Sequence, residues 1–295
     1  FVQRQNDLGF ADISFLDRKT VRSLVPTLGE HIVAGSFSPT SGHADPRRTT
    51  RAFAAAAQRQ GAIYWAGIEC LALCQTDDRV VGALTKRGII QAEQTVLAAG
   101  AWSRELAHSI GIQLPLRIHA LQVLLSTPAA PSMLQPVLST VRGTLSLKQQ
   151  PDGAFVLGGG WLADPTPDSH AYTLRPESQQ GNWTLACEVF PPLDKLQQAS
   201  AWAGLQASTP DDLPFIGSFS GLSGLALALG SWYGFALAPA IGDVVAAHLA
   251  GRPTPELVQL APDRITHFAP AQMVSFLSAP LLMGWTKISM LCSGV

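Results

Sequence analysis

Two short, nearly unbroken apolar runs stand out along the chain, Thr95 to Ala99 and Leu225 to Leu229. A run apolar on both faces reads as a strand buried in a parallel sheet, and each is followed by small residues and then a helical pattern. Gly224 and Gly230 bracket the second run. The helix after it runs through Ile241, Val244, Val245 and Leu249, tolerates Pro239 only near its start, and stops at Gly251 and Pro253. After the first run, Gly100 makes the turn and Trp102-Ser103 opens a helix carrying Leu106, Ile110 and Ile112. In both places the backbone lacks bulk where the strand ends, so a flat or extended ligand can approach it closely.

The same reading extends to the rest of the chain. Asp17 caps a helix holding Val21, Leu24 and Val25 that ends at Pro26, and Asp45 caps one that begins at Pro46 and reaches Gly61. Ala62 to Leu73 and Arg79 to Ile90 read as strands with Thr76-Asp77-Asp78 as the turn, and a further alternating stretch begins at Gly88. From residue 113 to about 205 the pattern becomes strands and turns. Its best strands are Arg117 to Ser126, Thr144 to Lys148 and Ala154 to Leu157, with Gly143 and Pro151-Asp152-Gly153 as turns. A helix over 176 to 190 places Trp183, Ala186 and Val189 on one face. The expected class is α/β and α+β. The expected division is 1–43, 44–112, 113–208, 209–252 and 253–295, with two kinds of segment alternating along the chain.

Composition narrows the function. At 295 residues and 47 % hydrophobic, the chain can bury a large core. A net charge of −1 without a Lys/Arg run argues against nucleic acid. Cys70, Cys74, Cys187 and Cys292 lack metal or disulfide spacing, so they read as free thiols in a cytoplasmic protein and no metal is expected. Met273 to Trp285 is apolar but interrupted by Pro280 and too short to span about 30 Å of hydrocarbon. It reads as a segment for a membrane surface, a partner or a core edge, not a transmembrane span.

The motifs are more specific. VLAAGAWS at 96–103, GHADPRR at 42–48, TPDDLPFIG at 209–217 and GFALAPAIG at 234–242 stand in the order found in the D-amino-acid oxidase family of FAD-dependent oxidoreductases. Over roughly residues 13 to 265 the chain resembles that family, nearest the branch of glycine oxidase, opine or hydroxyproline dehydrogenase and hydrogen cyanide synthase subunits. The resemblance implies an incomplete Rossmann-like FAD-binding domain interleaved with an antiparallel-sheet substrate domain. In this reading 1–43 and 113–208 form the substrate domain, 44–112 and 209–252 the FAD domain, and 253–295 a tail.

The family's opening strand, G-x-G-x-x-G turn and helix do not stand in this sequence. Gly158, Gly160 and Ala163 mimic the spacing after a strand, but Pro165 and Pro167 forbid the helix. The expectation is a chain that starts inside its family's pattern, truncated or completed from elsewhere, and that alone holds FAD weakly.

The resemblance implies that FAD lies against Cys70, Ala99, Gly100 and Trp102 at its nucleotide end, with Cys70 at the adenine. The isoalloxazine ring would lie against Gly230, Ser231, Trp232, Tyr233, Gly234, Phe235, Ala236 and Leu237. The unpaired N–H groups of Phe235, Ala236 and Leu237 at the helix start carry about half a positive charge and favour an electron-rich ring or an anion, hence the reduced flavin. A flavin accepts a hydride from the carbon bearing an amine, and the imine then hydrolyses. The protein's share of that work is alignment, so no Ser/His/Asp constellation and no catalytic side chain is expected.

Substrate candidates are Arg117, His119, Gln206, Trp232 and Tyr233, with Arg142 and Tyr172 also available. Glycine-oxidase-like relatives place a carboxylate-clamping arginine two residues after the glycine of WAGL, where this chain has Gln206, and a neutral amide cannot replace that clamp. For each of these an ordinary packed or exposed role competes with substrate binding, least so for Trp232-Tyr233. The open readings are an FAD-dependent amine or amino-acid dehydrogenase, alone or as a subunit of a heteromeric enzyme; an oxidase, told apart by reoxidation in air; a degenerate, non-catalytic subunit without stable cofactor; and, weakest, a nicotinamide enzyme.

Overall fold

The computed structural model describes residues 1–9, 12–141, 143–166, 172–255, 257–268 and 270–278. The described chain falls into two compact units, Phe1–Asp45 with Ala120–Gly204, and Pro46–His119 with the chain from Leu205 onward.

The first unit is built on antiparallel pairing. One sheet runs in the order Tyr172–Thr173, Leu162–Pro165, Arg117–Ser126, Phe155–Gly158, Ser146–Gln149, Leu138–Ser139, and Gln198–Ser208 also pairs with Arg117–Ser126. The register sets Leu124 against Leu157 and Leu147 against Leu157, so alternate apolar residues gather on one face. Against that face lie Phe190 and Leu193, and the rings of Phe155 and Phe190 meet at 5.5 Å. The helix Pro176–Val189 contributes Ala186 and Val189 to this core, with Pro176 at its first position, where no donor is lost. Asp17 caps the helix Arg18–Leu24, accepting the Thr20 N–H at 2.8 Å.

In the second unit, Phe215–Ser218, Leu225–Leu229 and Thr95–Leu97 form a three-stranded sheet. The first pair is antiparallel and the second parallel, with Leu225 opposite Thr95 and Leu227 opposite Leu97. The carboxyl ends of the parallel strands therefore emerge at one edge, where α/β proteins place ligands. Gly100–Trp102 and the helix Ser103–His108 follow one strand, and Ser231–Tyr233 and the helix Gly234–Leu249 follow the other. Leu73, Val80, Leu97, Leu116, Phe215, Leu225, Leu227 and Leu229 fill the core.

Several elements depart from the sequence reading. Ala62 to Leu73 is not one strand: only Cys70–Thr76 pairs, because Gly61 and Gly67 turn the backbone left-handed (φ 94° and 71°) and leave Ile63 to Trp65 exposed. Arg79 to Ile90 is two strands, Arg79–Thr85 and Gly88–Gln91, since Gly88 (φ 106°) closes a hairpin at Lys86-Arg87. The helix at Ser103 ends at His108, and Ile110 and Ile112 reach the core from the loop beyond it. Leu162–Pro165 is a strand, in keeping with the exclusion of a phosphate-binding turn at Gly158 and Gly160. Arg142 and residues 279–285 lie outside the described residues, and within Met273 to Trp285 only the helix Pro270–Ser278 is seen. Among the described residues no helix is long and apolar enough to cross a membrane.

Candidate functional site

The site is assembled in the second unit from the ends of two strands and one loop. Along Arg117–Ser126 side chains alternate, so Ile118 packs into the core while Arg117 and His119 share the opposite face. On Gln198–Ser208, Gln206 and Ser208 likewise share a face. That these faces coincide is set by one contact, His119 Nε2 to Ser208 Oγ at 2.8 Å, in which His119 is 5 % exposed. Partial burial pulls the Arg117 guanidinium below its usual pKa without threatening its charge.

The loop after Leu225–Leu229 closes over this face. Trp232 packs on His119 with ring centroids 4.5 Å apart and the planes tilted by 40°. The Gln206 side-chain amide donates to the Trp232 carbonyl at 2.7 Å, and the Trp232 indole N–H donates to Asp212 Oδ1 at 2.6 Å. Ser231 Oγ lies 3.2 Å from Thr209 Oγ1 and accepts the Thr209 N–H at 3.3 Å. Four of the five substrate candidates are thus brought together through Trp232 or the strand faces beneath it: Arg117, His119, Gln206 and Trp232. Tyr233 is the next residue, 49 % exposed. Tyr172 lies on a two-residue strand of the other unit.

The turn Thr209–Leu213 is held from behind by Arg264, a residue that sequence reasoning did not single out. Its Nε and Nη2 reach Asp211 at 2.8 and 3.1 Å, and Nη2 also reaches the Leu213 carbonyl at 2.9 Å. The guanidinium lies 4.1 Å over the Phe215 ring. Burial raises the Asp211 carboxyl, but hydrogen bonds and charge from Arg264 outweigh it and leave the pKa below the ordinary value. The adjacent acids of TPDD, in a turn otherwise set by Pro, were the available signal for Asp211 and Asp212.

The glycines test whether a flat cofactor fits. A Cβ on Gly230 would stand 2.4 Å from Gly234 Cα, so the loop closes only because Gly230 has none. A Cβ on Gly234 or Gly100 would meet nothing within 4 Å, so both backbones face open space. Phe235 and Leu237 on the helix's first turn are exposed, as are Ala236 and the Trp102 indole. The Ser103 hydroxyl, three residues after Gly100, is fully buried without a hydrogen-bond partner, an orphaned group of the kind that marks a ligand or water contact. Ala99 accepts the Trp102 N–H at 3.1 Å, which shapes the turn. Cys70 begins its strand half-buried, its thiol pushed up by burial. The open backbone at Gly100 and Gly234 leaves room there for a flat or extended group. Among the described residues no group of His, Cys, Asp and Glu is placed to hold a metal.

A parallel strand pair with glycine loops at its carboxyl edge is the arrangement at which open α/β sheets bind ligands. The chain belongs to the FAD dependent oxidoreductase family, whose pattern it matches over residues 1–248. It is 34 % identical over 178 residues to glycine oxidase of Pseudomonas aeruginosa, covering 59 % of this chain and 46 % of that protein. It is 28 % identical over 282 residues to the bifunctional protein ThiO/ThiG of Synechocystis sp., covering 91 % and 39 % respectively. The crystal structure of L-proline dehydrogenase from P. horikoshii superposes with a TM-score of 0.82 at 28 % identity, over 90 % of this chain and 72 % of that one. The chain spans less than half the length of these two curated relatives.

Proposed function

We infer that this chain oxidises the C–N bond of an amino acid or a related amine, with FAD as cofactor and the substrate held beside the Trp232 loop. The carrying observation is the linking of His119, Gln206 and Trp232, with Arg117 on the His119 strand face and Trp232 two residues before the open backbone of Gly234. FAD, when bound, supplies the hydride acceptor, so what remains for the protein is binding and alignment. Ala99, Gly100, Trp102 and Cys70 are proposed for the nucleotide end, and Gly230 to Leu237 for the ring.

Gln206 gives one of its two amide N–H groups to the Trp232 carbonyl and carries no charge, so it is a poor anchor for a carboxylate. Arg117, two residues from His119 on the same strand face and partly desolvated, is the cation proposed to take that role. The His119 and Trp232 rings, tilted by 40° at 4.5 Å, are proposed as the wall against which the substrate lies. Names of relatives such as glycine oxidase and L-proline dehydrogenase support an amino-acid substrate and leave open oxygen or another electron acceptor. Contact with other subunits and with a membrane surface belongs to the same proposal.

Arg117→Gln tests this reading. In flavin-loaded protein it should raise KM for an amino acid about 10- to 100-fold, the range expected for losing a hydrogen-bonded charge, and leave the matching decarboxylated amine unchanged. An unchanged ratio between the two substrates refutes the assignment.

A further inference from the structure

Two residues other than glycine take left-handed backbone in this site, Asp212 at φ 61° and Ser231 at φ 52°. A side chain disfavours that conformation, which persists only where the surroundings enforce it and gathers at functional loops. The two are coupled. Trp232, next to Ser231, gives its indole N–H to Asp212, and Ser231 Oγ meets the backbone and hydroxyl of Thr209 in the turn that carries Asp212. Trp232 is fixed at three points: its carbonyl by Gln206, its N–H by Asp212 and its ring by His119. Asp211, the neighbouring acid, is engaged by Arg264, which leaves Asp212 to face the loop.

We propose that Asp212 is a positioning residue: through the Trp232 indole N–H it sets the tilt of that ring on His119, and with it the wall a substrate meets and the aim of the first amides of Gly234–Leu249. It acts without touching the substrate. The inference rests on the reading that an amine binds beside the Trp232 loop, yet its physical core, the bracing of Trp232, can be measured without substrate or flavin. A packed indole without a partner for its N–H would keep its burial but lose its direction.

The test uses the full chain with three variants. Asp212→Gly keeps the left-handed backbone at ease and removes the acceptor; Asp212→Asn retains a carbonyl acceptor; Trp232→Phe keeps a ring and removes the donor. Amide hydrogen exchange over residues 231–237, in the absence of flavin, should speed up about tenfold in Asp212→Gly and Trp232→Phe, and the double variant should be no faster than either, as expected for one shared interaction. In flavin-loaded protein the same two should raise KM for an amino acid about tenfold with kcat changed by less than about threefold, and Asp212→Asn should restore most of the loss. Unchanged exchange in Asp212→Gly, or effects that multiply in the double variant, overturn the proposal. Where Asp212→Gly lowers the yield of folded protein, Trp232→Phe carries the test, since it leaves the turn untouched. If exchange responds as expected but no loaded protein oxidises any amine, the bracing role stands and the functional reading fails.

Discussion

Arg264 and Asp211 form a two-point ion pair 53 residues apart in sequence, with N···O distances of 2.8 and 3.1 Å. Removing one partner strands the other, because the Arg264 side chain is 9 % exposed. Asp211→Asn should cost about 3 kcal/mol at neutral pH by urea unfolding, the low end for breaking a buried pair. The pair also predicts a pH dependence. Despite burial, Asp211 is held below its ordinary pKa by Arg264, so its contribution is complete above the unfolded value and is lost as pH falls through the lower folded value. Wild-type stability should therefore drop in the window below about pH 4, and Asp211→Asn should flatten that drop. Parallel pH curves for the two proteins would contradict it.

Gly230 and Gly234 should respond oppositely to added bulk. Gly230→Ala drives a methyl to 2.4 Å from backbone at Gly234, so it should lower stability by about 1–3 kcal/mol in thermal or urea unfolding. Gly234→Val meets open space in the protein and should leave stability within about 1 kcal/mol, while flavin retention is lost. Full flavin retention by Gly234→Val would remove this loop from the cofactor site.

Cys187 should resist alkylation in the folded protein. Burial, followed by the hydrogen bond and charge of Asp194, pushes its thiol up to about 12, so almost no thiolate exists at pH 8. Cys70 and Cys74 are only half-buried. Maleimide labelling followed by peptide mapping should find Cys70 and Cys74 modified before Cys187, which reacts after denaturation. Early labelling of Cys187 would show that the helix Pro176–Val189 opens readily.

Local signals carried most of the fold. The strands Arg117–Ser126 and Leu225–Leu229 were bounded by their patterns alone, and Asp17 and Pro46 marked helix starts correctly. Errors fell where a glycine overrode hydrophobic alternation, as at Gly67 and Gly88. For the candidate site, the glycine loop and Trp232 were legible because their spacing is local. Asp211, Asp212 and Arg264 were not, since their meaning lies in partners 20 to 53 residues away that no periodicity announces. Gln206 was legible as a missing charge, but its bond to the Trp232 carbonyl appears only in three dimensions.

The alternation at Arg117, Ile118 and His119 carries a lasting constraint. With Ile118 committed to the interior and its neighbours to the opposite side, inserting or deleting one residue just upstream would trade the two sides wholesale. New specificities in this protein can therefore arise by exchanging side chains on that strand, and length changes are confined to the connecting turns.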